Sequence, residues 1–500
     1  MLGDLKYLEN DADLPKLPVP SLEETVERFL GTVEPLCSEQ EFQVVKGKAY
    51  DLLDPSKSIG TVLHQRLVDR ANDPEITSWI EEWWNDVAYL QNRQSICFHV
   101  NYYFGFRQIP NPIIPPSQTL VAAAIINSIV SYRNLIISGK FETDAVRGVP
   151  LCMDQFRNQF AACRYPGLPA DYTKVFPLSE SKHIIIASKG HYYKYNPYLL
   201  DSNFQTIESD SGYEVKSIDQ IHADLLHLIE TSSSIVPNRN HNIGILTVLE
   251  RDDWHYARES IIEISEGNVQ SLYEIESSAF LLALDDLEPQ NYSELANACY
   301  CSNGFNRFYD KCFQVLVFKN GRYGFSGEHS LTDGTTDVRL SRHFVKDVET
   351  FFATPAARPT SSFTPFSWEP LKFDFNITLK HFIRRAWSYF DYYSFRQEIA
   401  TVRFDAFGKN AVKKLRVSPD AFAQMAVQLA YYRLFDQFVA TYESASTRSF
   451  AHGRTETARS ISVHSVAWCR AMLEEDPRQL EGQILPPAEI AAMLDRAISA

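Results

Sequence analysis

The chain has 500 residues, 45% hydrophobic and 22% charged, a balance that supports a large buried core, favours two or more domains and excludes a disordered polypeptide. Its formal net charge of −15 excludes a general nucleic-acid or anionic-membrane binder, since either needs a basic face.

Met1-Leu-Gly-Asp-Leu-Lys-Tyr-Leu-Glu-Asn-Asp11 is too acidic for a mitochondrial presequence, and Ala497-Ile-Ser-Ala500 does not match a peroxisomal signal. Leu14-Pro-Lys-Leu-Pro-Val-Pro20 reads as a proline-stiffened extended lead-in. Ser21-Leu-Glu-Glu24 has capping-box spacing and opens a helix through Val26, Phe29 and Leu30. Trp79, Trp83 and Trp84 lie in an amphipathic stretch ending near Leu90, and the Trp pair is expected to pack in the core. Beyond residue 140, strand-like runs (183–188, 243–248 and 279–284) alternate with helical stretches, one opening near Asp252-Asp253-Trp254. That interleaving indicates an α/β or α+β layered domain, and α/β is the class expected. Phe313-Gln-Val-Leu-Val-Phe318, Lys319-Asn-Gly-Arg322 and Tyr323-Gly-Phe-Ser326 predict a hairpin. The Pro/Ser/Thr-rich segment 355–370 is the expected linker. Ser418-Pro419-Asp420 then caps a long helix carrying Phe422, Met425 and Leu429.

The eight cysteines are scattered, and Cys299-Tyr-Cys301 has a spacing unsuited to a zinc knuckle or redox pair, so reduced thiols are expected. His452 and His464 are too far apart for a one-turn metal pair, and His183 and His191 are expected to pack or face solvent. No uninterrupted apolar run reaches membrane-spanning length, so a soluble protein is expected; with no targeting signal recognised a cytoplasmic location is expected, and neither a metal nor a bound prosthetic group is expected.

The chemistry concentrates in Gly324-Phe-Ser-Gly-Glu328-His329-Ser-Leu-Thr-Asp333-Gly334. An imidazole just past a hairpin strand is aimed by a rigid sheet, and its natural pKa suits a general base at neutral pH. No Gly-x-Ser-x-Gly elbow accompanies it, which favours direct attack by an acceptor over an acyl-enzyme. Asp333 either fixes the imidazole tautomer or holds the loop through an arginine.

Ordered matches running nearly end to end make the chain resemble the carnitine/choline acyltransferase family. They are Leu14–Pro20, Trp83-Trp84, Gly148-Val-Pro-Leu-Cys-Met153, Asn306-Arg-Phe-Tyr-Asp-Lys311 and Glu328-His329-Ser330. Further along come Phe407-Gly-Lys409, Ser418-Pro-Asp-Ala-Phe422, Ala430-Tyr-Tyr-Arg433, Thr441-Tyr-Glu-Ser-Ala-Ser446 and Gly453-Arg-Thr-Glu-Thr457. The resemblance implies two chloramphenicol-acetyltransferase-like α/β domains with the active site between them and His329 as catalytic base. It implies a helical segment 14–90 packing with the second domain, a first domain 91–354 and a second domain 371–500. Lys409 and Lys413, with Lys414 beside them, match the lysines for coenzyme A phosphates, and Asp420 lies near the coenzyme A path. Tyr442 and Thr455 match residues that hydrogen-bond the carnitine carboxylate, and choline-specific members have an apolar residue in place of Thr455.

Typical members continue beyond the position of Ala500 with an arginine for the carnitine carboxylate, a Ser-Thr-Ser strand and further strands, so an incomplete second domain is expected. The expected reaction is reversible acyl transfer between acyl-CoA and a hydroxyl acceptor, first of all carnitine. The alternatives are another alcohol acceptor in specialised metabolism, or a truncated, non-catalytic homologue that binds coenzyme A or a protein partner.

Overall fold

The computed structural model describes residues 6–354 and 367–499. The chain divides into two compact units, Ile80–Thr401 with the N-terminal residues through Asp13, and Leu14–Trp79 with Val402–Ala500.

The first unit is built on a seven-stranded mixed sheet. Its strands, with those of an accompanying ribbon, are β1 (Tyr102–Gly105), β2 (Ala162–Tyr165), β3 (Tyr172–Val175), β4 (Ile184–Ser188), β5 (His191–Tyr195), β6 (Leu281–Asp285), β7 (Phe313–Phe318), β8 (Tyr323–Gly327) and β9 (Trp368–Pro370). The sheet order is β1-β8-β7-β6-β4-β5-β9, and β2 pairs with β3 in the separate ribbon. Only β7·β6 and β6·β4 are parallel pairs, in register at Leu282 with Val315 and Ile186.

Side chains alternate across a strand, so a sheet covered on both faces needs apolar residues at every position. Ile184, Ile186, Leu282, Leu284, Val315 and Val317 enter one core layer with the helix Gln118–Ile137. Ile185, Ala187, Leu281, Ala283, Leu316 and Phe318 enter the other, with Trp254, Leu272, Leu379 and Trp387. The α/β class expected from the sequence is the class observed. Gln118–Ile137 is the one exception, among the described residues, to the expectation of no membrane-length apolar element: it is long and apolar enough to span a bilayer, yet 78% of that window is buried in this core.

The predicted hairpin forms, with Val315 opposite Phe325, and its second strand ends two residues before His329. Trp254 is buried in the helix Arg251–Ile264. The run 243–248 forms no strand. Gly244–Val248 is a 3₁₀ turn closed by Thr247 Oγ1 donating to the Gly244 carbonyl at 2.7 Å, and Tyr309 N–H donates to that hydroxyl. A short buried apolar run has the same composition in either conformation, so its periodicity could not separate them.

Two further expectations change. Of the proposed linker, 355–366 lies outside the described residues, and Trp368–Pro370 is an edge strand on β5. The next helix, Ile377–Phe395, buries Leu379, Ile383, Ala386 and Trp387 in the first unit's core. The division therefore falls at residue 401, beyond the proposed 355–370 boundary, and residues 80–90 also join the first unit. The Trp pair is not a buried core pair, because Trp83 is exposed and Trp84 half-buried.

The second unit is mainly helical. Ser21 accepts from Glu24 N–H at 3.1 Å at the start of Leu22–Val33, and Ser418 caps Pro419–Phe435. The latter helix packs with Val463–Met472 and Pro487–Ser499 around Met425, Tyr432, Trp468 and Met493. A two-stranded ribbon, β10 (Glu443–Ser446) and β11 (Thr455–Ala458), completes the strands described there.

Candidate active site

In the first unit the sheet hands the chain from β8 directly to Glu328 and His329. Glu328 N–H donates to the Cys312 carbonyl at 3.0 Å, so the residue before the imidazole stays tied to the start of β7. The Glu328 side chain is fully buried, ion-paired with Arg164 at 3.2 Å, and accepts from the Ser330 hydroxyl. Residues on both sides of His329 are thereby fixed while its own side chain remains about one-third exposed (32%), accessible to a reactant.

The imidazole is framed by two tyrosines. Tyr89 Oη lies 3.3 Å from Nδ1, with ring centroids 5.2 Å apart. Tyr102 meets the ring edge-on at 4.9 Å. Tyr102 sits opposite Gly327 across β1 and β8, and a Cβ at Gly327 would fall 2.7 Å from the Tyr102 ring. The glycine lets that ring cross the strand and reach His329. Tyr102 Oη donates to Asp337 at 2.5 Å, and Asp337 also accepts from Thr332 and Gln159. Burial pushes the Asp337 carboxyl up to about 6 against the lowering effect of those three hydrogen bonds.

Asp333 lies with Oδ1 at 3.6 Å from His329 Nδ1, an ion-pair rather than a hydrogen-bond distance. One hold on the loop is Gln155. That amide donates to Asp333 Oδ2 at 2.8 Å while its oxygen accepts from Asp333 N–H at 2.7 Å. The glutamine satisfies side chain and main chain together. The helix Gly334–Ala353 begins immediately afterwards, which gives the loop a rigid exit.

The remaining candidates occupy the second unit. Lys409 and Lys413 are exposed on the short helix Lys409–Lys414, with Lys414 at its end. Asp420 lies in the first turn of Pro419–Phe435, and its hydrogen bond to Glu443 is the main cause raising the Glu443 carboxyl pKa. Tyr442 immediately precedes β10 and is exposed; Thr455 opens β11 opposite Ser446. Ser444 Oγ donates to Thr455 Oγ1 at 3.5 Å. The structure thus brings His329 and Asp333 together in one unit and gathers the other five in the second.

Tyr89, Tyr102, Gln155 and Arg164 were not singled out in the sequence. Tyr89 is 240 positions from His329 and Gln155 is 178 from Asp333, so no local spacing could reveal them.

A sequence profile of the choline/carnitine O-acyltransferase family matches residues 17–500. The mitochondrial carnitine O-acetyltransferase of Saccharomyces cerevisiae is 32% identical, over 91% of this chain and 67% of its own length. The carnitine O-acetyltransferase of Rattus norvegicus is 30% identical over 97% and 75%, and the mitochondrial carnitine O-palmitoyltransferase 2 of Homo sapiens 29% over 94% and 73%. On these matches the chain belongs to the choline/carnitine O-acyltransferase family, and it is an acyltransferase with coenzyme A as cosubstrate.

Proposed function

We propose that this enzyme transfers an acyl group reversibly between acyl-CoA and the hydroxyl of carnitine, with His329 as the general base. The observation that carries the reading is the imidazole at the end of β8, with Nδ1 between Tyr89 Oη and the Asp333 carboxylate. With Nδ1 engaged on that side, the base role falls to Nε2. Nε2 takes the hydroxyl proton as the acceptor oxygen adds to the thioester carbonyl carbon. The tetrahedral intermediate collapses with cleavage of the C–S bond, and the departing thiolate recovers the proton from Nε2. Asp333 stabilises the transient imidazolium, as a carboxylate near a charged imidazole does. Lys409 and Lys413 bind the coenzyme A phosphates, with Asp420 beside that path. Tyr442 and Thr455 supply hydroxyls to the carnitine carboxylate, a role supported by the relatives named for carnitine.

The test is His329→Ala, assayed by thiol release from acetyl-, octanoyl- and palmitoyl-CoA with carnitine, choline and other alcohols. The expected result is turnover reduced by about 10³-fold or more with coenzyme A binding retained. Turnover at the wild-type rate would remove His329 from the chemistry. Saturation by another alcohol in preference to carnitine would replace carnitine as acceptor.

A further inference from the structure

We propose that Arg164 is a positioning residue for the base, joining the two segments that hold His329. The inference rests on the reading of His329 given above. Arg164 projects from β2 and is completely buried, and its guanidinium makes three directed bonds. Nη2 donates to the Tyr89 carbonyl at 2.7 Å, Nη1 to Glu328 Oε1 at 3.2 Å and Nε to Asp171 Oδ2 at 2.7 Å. The first bond fixes the residue whose hydroxyl meets His329 Nδ1; the second fixes the residue directly before His329. One planar group therefore sets the distance between Tyr89 and His329, which lie 240 positions apart in the chain. A lysine, with its single point charge, cannot reproduce that fork.

The guanidinium is itself rigidly mounted. Asp171 also accepts from Arg251 Nε at 2.5 Å and Arg93 Nη1 at 2.9 Å, and Arg251 continues to Asp310. Arg164 N–H donates to the Asp310 carbonyl at 2.9 Å, closing the network onto β2. Three arginines thus alternate with Asp171, Asp310 and Glu328. Burial raises the Asp171 carboxyl pKa, but Arg251 and Arg164 outweigh it, so the net shift is downward and Asp171 stays ionised. A buried charge is compensated only while its partners remain, so the network resists displacement of any single member.

The experiment compares R164Q, R164K and E328Q with the wild-type chain by melting temperature, kcat, KM and the rate at which diethyl pyrocarbonate modifies His329, read on its peptide by mass spectrometry. R164Q is expected to lower kcat about 10²-fold, as a displacement near 1 Å does, with KM for acyl-CoA within about threefold. R164K should recover less than half of that loss, and the modification rate should change in parallel. If R164Q does not fold, E328Q carries the test: it turns one arm of the fork from an ion pair into a neutral hydrogen bond while Arg164 keeps Asp171, and it should lower kcat about tenfold with KM unchanged. Folded variants with wild-type kcat and wild-type modification rate overturn the proposal, as does full restoration by R164K. Because modification is read without turnover, an inactive wild type would sink the base assignment while this comparison still decides the role of Arg164.

Discussion

At the scale of single residues, the position of His329 is determined by side chains from distant stretches of the chain. Tyr89, Tyr102 and Gln155 each supply one constraint, and each comes from a different part of the first unit. Asp337, behind Tyr102, makes a testable contribution to stability. Its folded pKa, about 6, lies above the ordinary value of 3.8, so the folded protein holds that proton more tightly than the unfolded chain. Stability from this group is present at low pH and declines as pH rises from about 4 through about 6. Asp337→Asn removes the titration. Between about pH 4 and pH 7 the wild type is expected to lose about 3 kcal/mol relative to the variant, measured as paired denaturation curves. Parallel curves across that window would show that Asp337 ionises normally.

At the scale of elements, β8 does two jobs: it pairs with β1 and β7, and it delivers the loop that carries His329. Asn320-Gly321 announced the hairpin; its loop is the three residues Lys319 to Gly321 between Phe318 and Arg322, and its last position takes the left-handed conformation that suits glycine, with Gly321 at φ +78°. The reason for Gly327 was not visible in the same way, since it depends on the Tyr102 ring crossing from the neighbouring strand. Gly327→Ala is expected to cost about 1–3 kcal/mol by overpacking, and to lower kcat by pushing Tyr102 off the edge of His329. Thermal unfolding and steady-state kinetics on the same preparation check both effects. The 3₁₀ turn at Gly244–Val248 shows the complementary limit, where an apolar run announced burial but not backbone conformation.

At the scale of the whole molecule, a chain of net charge −15 must attract a polyanionic cosubstrate. Long-range attraction is unfavourable under that total, so local cations have to provide the affinity. Lys409 and Lys413 are exposed on one short helix and are the residues proposed for the phosphates. The double substitution K409Q/K413Q is expected to raise KM for acyl-CoA about tenfold or more, and to weaken its dependence on ionic strength, with kcat at saturation unchanged. Initial rates over a salt series measure this, and an unchanged KM would assign the phosphates to other residues.

Much of this protein was determined by its sequence. Continuous apolar runs bounded by turn residues dictated a sheet buried on both faces, and the Asn-Gly hairpin placed His329 just beyond a strand. The ordered motifs carried the family. Those signals are legible because backbone conformation and residue patterning act over a few neighbouring positions. Tertiary structure alone decided that Gln155 holds Asp333, that Arg164 links Tyr89 to Glu328, and that residues 371–401 join the first unit. Hydrogen bonds between segments 75 to 240 positions apart leave no local pattern. Their partners are chosen by the packing of the sheet and its covering helices.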